Sequence, residues 1–274
     1  MEKTTTNKMI TFNNLGNLGR LANQMFQYAS LKGIARNRGY DFSIPPREVF
    51  GKRDPMVKQS DLNIYDVFGL DKKNNVGLFL NQVLQERMHT FDEELFTNCP
   101  DDIDLLGFYQ SEKYFKHIED EIREDFTFNP ELVKSCKEFL EYTFVYRDVI
   151  ALHIRRSDYT VNPNHPVQPL EYYQRALEMF PDLDVIVFSD DSEWCKQQEI
   201  FSSDRFSIAE GNSTDADLCL MSMCNFHIIA NSSFSWWGAW LAKSKKVIAP
   251  KNWFGGECVD KDITDMAFDN WSWI

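Results

Sequence analysis

From Asp148 to Ala249 short apolar runs alternate with segments of helical spacing, and no other feature constrains the fold of this 274-residue chain as tightly. The runs are Asp148–Ile154, Asp184–Phe188, Phe206–Ile208, Phe226–Ala230 and Lys246–Ala249, the last strand in this reading, ended by Pro250. Between them, Leu170–Met179, Asp191–Glu199, Asp215–Cys224 and Ser233–Lys243 read as helices. A nearly continuous apolar run marks a strand buried on both faces, as in a parallel sheet. Strands that alternate with helices imply a doubly wound α/β sheet. Ligands of such sheets bind at the carboxyl ends of the strands. The residues that follow each strand are therefore the candidates for function.

The first half is less regular. Lys8–Phe12 reads as a short strand, followed by a loop with Gly16 and Gly19 and a helix over Leu21–Arg36. Asp41–Pro130 reads as irregular, with apolar pieces at Val76–Leu80 and Leu105–Tyr109, and Pro130–Tyr142 as a helix with proline in its first turn. A 43% hydrophobic content supplies a packed core. The net charge of −13 and the lack of a basic stripe argue against nucleic acid as a partner. No apolar run reaches membrane-spanning length, and Met1–Lys8 lacks the apolar centre of a secretory signal, which predicts a cytoplasmic protein. The six cysteines form no CxxC pair, so buried reduced thiols are expected rather than disulfides or zinc.

Two strand ends carry residues of chemical interest. Arg155 and Arg156 follow the run ending at Ile154, and paired guanidiniums suit a phosphate or carboxylate. The plain alternative is a pair of salt bridges to nearby acids. His153 points to the opposite face from Ile154 and can hydrogen-bond a ligand from the strand tip. Asn231, Ser232, Ser233, Phe234 and Ser235 open the helix after Ala230. Small hydroxyl residues there make an anion site from backbone N–H groups and the helix dipole, or simply cap the helix. With two arginines on the same sheet edge, the anion site is the better reading. Trp236, Trp237 and Trp240 are expected in the core. Asp190-Asp191 and Asp215-Ala216-Asp217 raise the question of a metal. The second pair opens a helix after a polar loop, which reads as N-terminal capping rather than a cation clamp.

These blocks together resemble the α-1,2-fucosyltransferase family. Gly19-Arg20-Leu21-Ala22-Asn23-Gln24 is similar to its glycine-rich opening, with Ala22 where the family has glycine, a change compatible with a helical backbone. His153-Ile154-Arg155-Arg156-Ser157-Asp158-Tyr159 matches its HxRRxDY signature, and Val187–Asp191, Asp217–Ser222 and Ala230–Leu241 match three further blocks. The resemblance implies a GT-B-type fold of two Rossmann-like lobes. Residues 1–145 would form the N-terminal, acceptor-side lobe and 146–274 the C-terminal, donor-binding lobe.

It further implies transfer of L-fucose from GDP-β-L-fucose to the 2-hydroxyl of a galactose-containing glycan, with inversion and with no metal or other cofactor. Arg155 would be catalytic, offsetting the charge of the departing diphosphate. His153 and Asp217 would read guanine, Ser232, Ser233 and Phe234 would hold phosphates, and Arg20 and Asn23 would reach the donor from the other lobe. Arg156, Asp158 and Asp190 complete the expected substrate-binding set. The competing readings are a fucosyltransferase of another linkage, a metal-dependent transferase using Asp215 and Asp217, and a non-catalytic sugar or nucleotide binder. The Trp-Trp block favours the α-1,2 linkage. Both arginines and the serine-rich helix start speak against a mere binder.

Overall fold

A computed structural model describes residues 8–47, 62–70, 82–145, 147–268 and 270–274. The chain folds into two compact units. The first comprises the described residues up to Thr127 together with Asp262–Ala267, and the second comprises the remainder from Phe128 on.

In the first unit β1 (Met9–Thr11), β2 (Asp41–Ser43), β3 (Gln82–Gln85) and β4 (Ile103–Leu106) form a parallel sheet in the order β2-β1-β4-β3. Helix α1 (Leu21–Arg38) joins β1 to β2, and α2 (Ile64–Phe68), α3 (Glu93–Asn98) and α4 (Glu119–Asp125) follow in chain order. Helix α1 stops at Gly39, whose φ of 66° gives the left-handed turn that returns the chain to the sheet. The stretch from Asp41 to Pro130 is thus ordered where it is described, contrary to the irregular reading. Its strands have three or four residues, and β3 (Gln-Val-Leu-Gln) is mostly exposed without an alternating pattern, so neither length nor periodicity announced them. The Val76–Leu80 piece lies outside the described residues.

The second unit contains α5 (Pro130–Phe144), β5 (Val149–Ile154), α6 (Leu170–Glu178), β6 (Asp184–Ser189), α7 (Ser192–Lys196), β7 (Phe206–Ile208), α8 (Thr214–Met221), β8 (Phe226–Ile228), α9 (Ser233–Leu241), β9 (Val247–Ala249) and β10 (Trp271–Trp273). Its sheet runs β10-β9-β8-β5-β6-β7, every neighbouring pair parallel. From β5 the chain winds outward through β6 and β7, then returns to β8 on the other side of β5. The strand order therefore reverses between β5 and β8.

One strand of this sheet, β10, is absent from the sequence reading. Trp271-Ser272-Trp273 is a strand beyond Ala249, too short and too near the end of the chain to show a pattern. Helix α5 packs with α8, where the Cys136 thiol lies 3.9 Å from the Ala216 carbonyl oxygen. The division between units therefore falls at Thr127/Phe128 rather than at the 145/146 division drawn from sequence.

All six residues of β5 are buried. Ile150, Leu152 and Ile154 pack with Tyr172, Tyr173 and Ala176 of α6 on one face of the sheet. On α9, Trp236 and Trp237 are fully buried and Trp240 nearly so, as the core reading expects. All six cysteines are free thiols, and Cys258 alone is not buried.

Gly33, inside α1, packs against the chain at Tyr114: a methyl group there would lie 2.0 Å from the Tyr114 carbonyl oxygen. Alanine is the better helix former by about 1 kcal/mol, whereas overpacking costs about 1–3 kcal/mol. Gly33→Ala is therefore expected to lower the thermal midpoint. A midpoint equal to or above that of the parent would contradict this packing.

Candidate active site

The parallel register builds the site. Ile154 pairs with Ser189, so the next residues on each chain, Arg155 and Asp190, emerge side by side at the carboxyl edge. Arg155 Nη1 forms an ion pair with Asp190 Oδ2 at 2.9 Å, and Nη2 donates to Asp158. Its guanidinium carbon lies 5.4 Å from the centre of the Tyr159 ring. The neighbouring Arg156 turns the other way. Its guanidinium stacks on Trp194 of α7 at 3.9 Å from the ring centre, and Nε donates to Asp191 Oδ2 at 3.0 Å. Asp191 also caps α7 by accepting from the Trp194 N–H at 3.2 Å. The salt-bridge reading of the arginine pair is thus present in the structure, with Asp158 and Asp190 on Arg155 and Asp191 on Arg156.

His153 faces α9. Its Nδ1 lies 2.9 Å from Ser235 Oγ, and its ring sits 5.8 Å from that of Phe234. The Ser235 hydroxyl donates to the Ser232 carbonyl at 3.4 Å, which leaves its lone pair for an Nδ1–H of His153. Burial, aided by the nearby Arg155 charge and opposed by Asp190, holds the imidazole well below its usual pKa, so it is neutral at pH 7.

Ser232 is the N-cap of α9 and accepts from the Phe234 N–H at 3.3 Å. Asn231, 2% exposed, joins three loops. Its side-chain amide donates to the carbonyls of Pro166 at 3.0 Å and Trp253 at 2.9 Å, and its own carbonyl accepts from the Tyr159 hydroxyl at 3.1 Å. Arg155, Asp158, Asp190, His153 and the Ser232–Phe234 helix start are thereby gathered where the strand order reverses, the usual binding crevice of a doubly wound sheet.

Asp217 lies in the first half of α8 and accepts from Asn212 Nδ2 at 2.9 Å, while burial pushes its carboxyl up. Helix α8 has Ser213 at its N-cap and no capping side-chain bond, so the capping expected of Asp215 and Asp217 does not occur. Among the described residues no group of three or more His, Cys, Asp or Glu side chains is arranged to hold a metal ion.

The remaining candidates belong to the first unit. Gly19 has φ of 79°. Gln24 Nε2 donates to the Gly19 carbonyl at 3.2 Å, and Gln27 Nε2 donates to those of Leu18 at 2.9 Å and Gly107 at 3.1 Å. Arg20 is the N-cap residue of α1, and Ala22 is helical, a backbone that alanine suits. Asn23 Oδ1 accepts from Gln110 Nε2 at 2.8 Å.

Sequence reasoning placed Asn231 only in the helix start and overlooked its joining of loops, together with Trp194 and the two glutamines. A buried amide that ties loops together has no periodic signature. The Asp190–Arg155 contact, in contrast, is implied by any parallel pairing of the strands that precede them.

Two units built on parallel sheets, with an arginine and a helix start at the reversal of the second sheet, define the class: a GT-B-type glycosyltransferase fold. The same fold is seen in the solved structure of POFUT1 in complex with GDP, with a TM-score of 0.53 at 13% identity over 88% of this chain and 96% of that one. The sequence matches the model of glycosyl transferase family 11 over residues 2–274, and the chain belongs to that family. It is 33% identical to an α-1,2-colitosyltransferase of Escherichia coli, over 87% of this chain and 91% of that protein. It is 27% identical to the galactoside 2-α-L-fucosyltransferase SEC1 of Bos taurus, over 84% of this chain and 64% of that protein. Among the described residues no helix is long and apolar enough to cross a membrane.

Buried histidine also sets a pH dependence of stability. His227 of β8 donates from Nε2 to the Met221 carbonyl at 2.9 Å, and burial pushes its pKa down to about 4. The folded state holds it neutral, whereas the unfolded chain takes up a proton below pH ~6.5. Its contribution is therefore complete above that pH and is lost as pH falls toward 4, by on the order of 2–3 kcal/mol. In urea titrations at pH 7 and pH 5, the stability gap between the parent and His227→Gln should narrow at the lower pH. A gap that stays constant or widens would contradict it.

Proposed function

We propose that this protein transfers L-fucose from GDP-β-L-fucose to the 2-hydroxyl of a galactose residue in a glycan, with inversion at C1. The observation that carries this reading is Arg155 at the end of β5, at the same reversal of the second sheet from which α9 starts, in a chain that belongs to glycosyl transferase family 11. Fucosyl transfer in particular is supported by the likeness to SEC1.

In this mechanism the galactose O2 bonds to C1 of fucose as the bond from C1 to the phosphate oxygen breaks, its electron pair leaves with GDP, and the O2 proton passes to the departing diphosphate. Arg155 and the positive end of the α9 dipole, at Ser232, Ser233 and Phe234, stabilise the negative charge that develops on the diphosphate. That compensation makes a metal unnecessary. Neutral His153, with Nδ1–H turned to Ser235, presents Nε2 as an acceptor to the guanine, and Asp217 accepts from the guanine N–H groups. Arg20 and Asn23 are assigned to substrate binding from the first unit, on the acceptor side. Arg156, braced by Trp194 and Asp191, holds the strand tip.

The colitosyltransferase relative favours a second reading, in which the same site takes the corresponding colitosyl donor.

Incubation with GDP-fucose and galactose-terminated glycans in excess EDTA should release GDP and give an α-1,2-linked fucoside, identified by NMR. Arg155→Ala should abolish transfer, and Arg155→Lys should not restore it, since a point charge lacks the planar fork. A product of another linkage, a requirement for added Mn²⁺, or near-normal turnover of the lysine variant would each contradict the mechanism. Preference for GDP-colitose would select the second reading.

A further inference from the structure

The two carboxylates on Arg155 are held in different ways. Asp190 follows the end of β6 and is anchored at both oxygens. Oδ1 accepts from the Arg156 backbone N–H at 2.9 Å, and Oδ2 forms an ion pair with Arg155 Nη1 at 2.9 Å. The first bond ties it to the main chain at the tip of β5, so it cannot swing without disturbing the strand end. Asp158 binds Nη2 from a single turn of 3-10 helix, Ser157–Thr160, and its side chain is 32% exposed against 20% for Asp190.

One guanidinium between two carboxylates leaves this trio with a net negative charge. A diphosphate brought to it meets repulsion unless a carboxylate departs. The Tyr159 ring that lies against the guanidinium is itself fastened through its hydroxyl to the Asn231 carbonyl, so Arg155 keeps a floor and one lateral anchor when a partner leaves.

We propose that the donor diphosphate replaces Asp158 on Arg155 while Asp190 stays in place. Asp158 is then a stand-in that keeps the guanidinium aimed between turnovers, and Asp190 is a positioning residue that acts through Arg155. The proposal rests on the reading that a nucleoside diphosphate sugar is the donor. No covalent step is involved: a carboxylate–guanidinium pair is exchanged for a phosphate–guanidinium pair, and Asp158 turns to solvent.

The two acids then have opposite effects on GDP binding. Calorimetric titration with GDP, at fixed pH and salt, should show Asp158→Asn and Asp158→Ala binding about two- to five-fold more tightly than the parent, the range set by a partly exposed ion pair. Asp190→Asn should bind more weakly. In an Arg155→Ala background, Asp158→Asn should bring no gain, because the pair it would relieve is already gone. A merely structural lesion does not tighten binding. Unchanged or weaker GDP affinity in both Asp158 variants would overturn the proposal, as would unchanged or tighter affinity in Asp190→Asn or a full gain without Arg155. Failure of the parent protein to bind GDP at all would instead overturn the reading under Proposed function.

Discussion

The parallel ladder between β5 and β6 is the constraint on which the site depends. Six consecutive residues of β5 are paired to β6 from Val149↔Asp184 through Ile154↔Ser189. The apolar side chains of both strands are buried, so a slip by one residue would turn the Ile150, Leu152 and Ile154 face away from α6 and drive His153 into it. Packing thus enforces the register, and the register alone puts Arg155 next to Asp190 and Arg156 over α7. Alternation along the strand does the rest. His153 goes to the α9 side and Ile154 to the α6 side, with no further device needed to separate the polar from the apolar.

This geometry reconciles two readings of the arginine pair. Both arginines make salt bridges, and neither is thereby disqualified from binding a ligand. An unpaired guanidinium on an acidic protein with a net charge of −13 would find a carboxylate somewhere. What distinguishes Arg155 is its place at the reversal of strand order, against the Tyr159 ring. Arg156 is engaged by an aromatic ring and by the carboxylate that caps α7. The serine-rich helix start is likewise compatible with both of its readings: Ser232 caps α9, and a capped helix still presents the positive end of its dipole to an anion.

The second sheet was legible in the sequence because its central strands are buried on both faces and read as unbroken apolar runs. Five strands and the helices between them stand where the pattern put them, with helices ending a few residues early. The strand over Trp271–Trp273 was hidden by its three-residue length, and those of the first unit by equally short spans and, for β3, by an exposed edge without an alternating pattern. The candidate site is legible in sequence wherever charged or hydroxyl residues follow a strand. Its buried amide supports are not. Asn231, Gln24 and Gln27 hold loops by bonding to carbonyls that only the fold brings near, and no local pattern encodes such a partner.

The central claim is that the crevice between the ends of β5 and β8 receives a nucleoside diphosphate. Hydrogen exchange of the backbone amides, followed by mass spectrometry with and without GDP, tests it most directly. The account predicts slowed exchange in the segment from Asn231 to Ser235 and in the turn after β5, with the outer strands β7 and β10 unchanged. Protection confined to other segments, or none at saturating GDP, would contradict it.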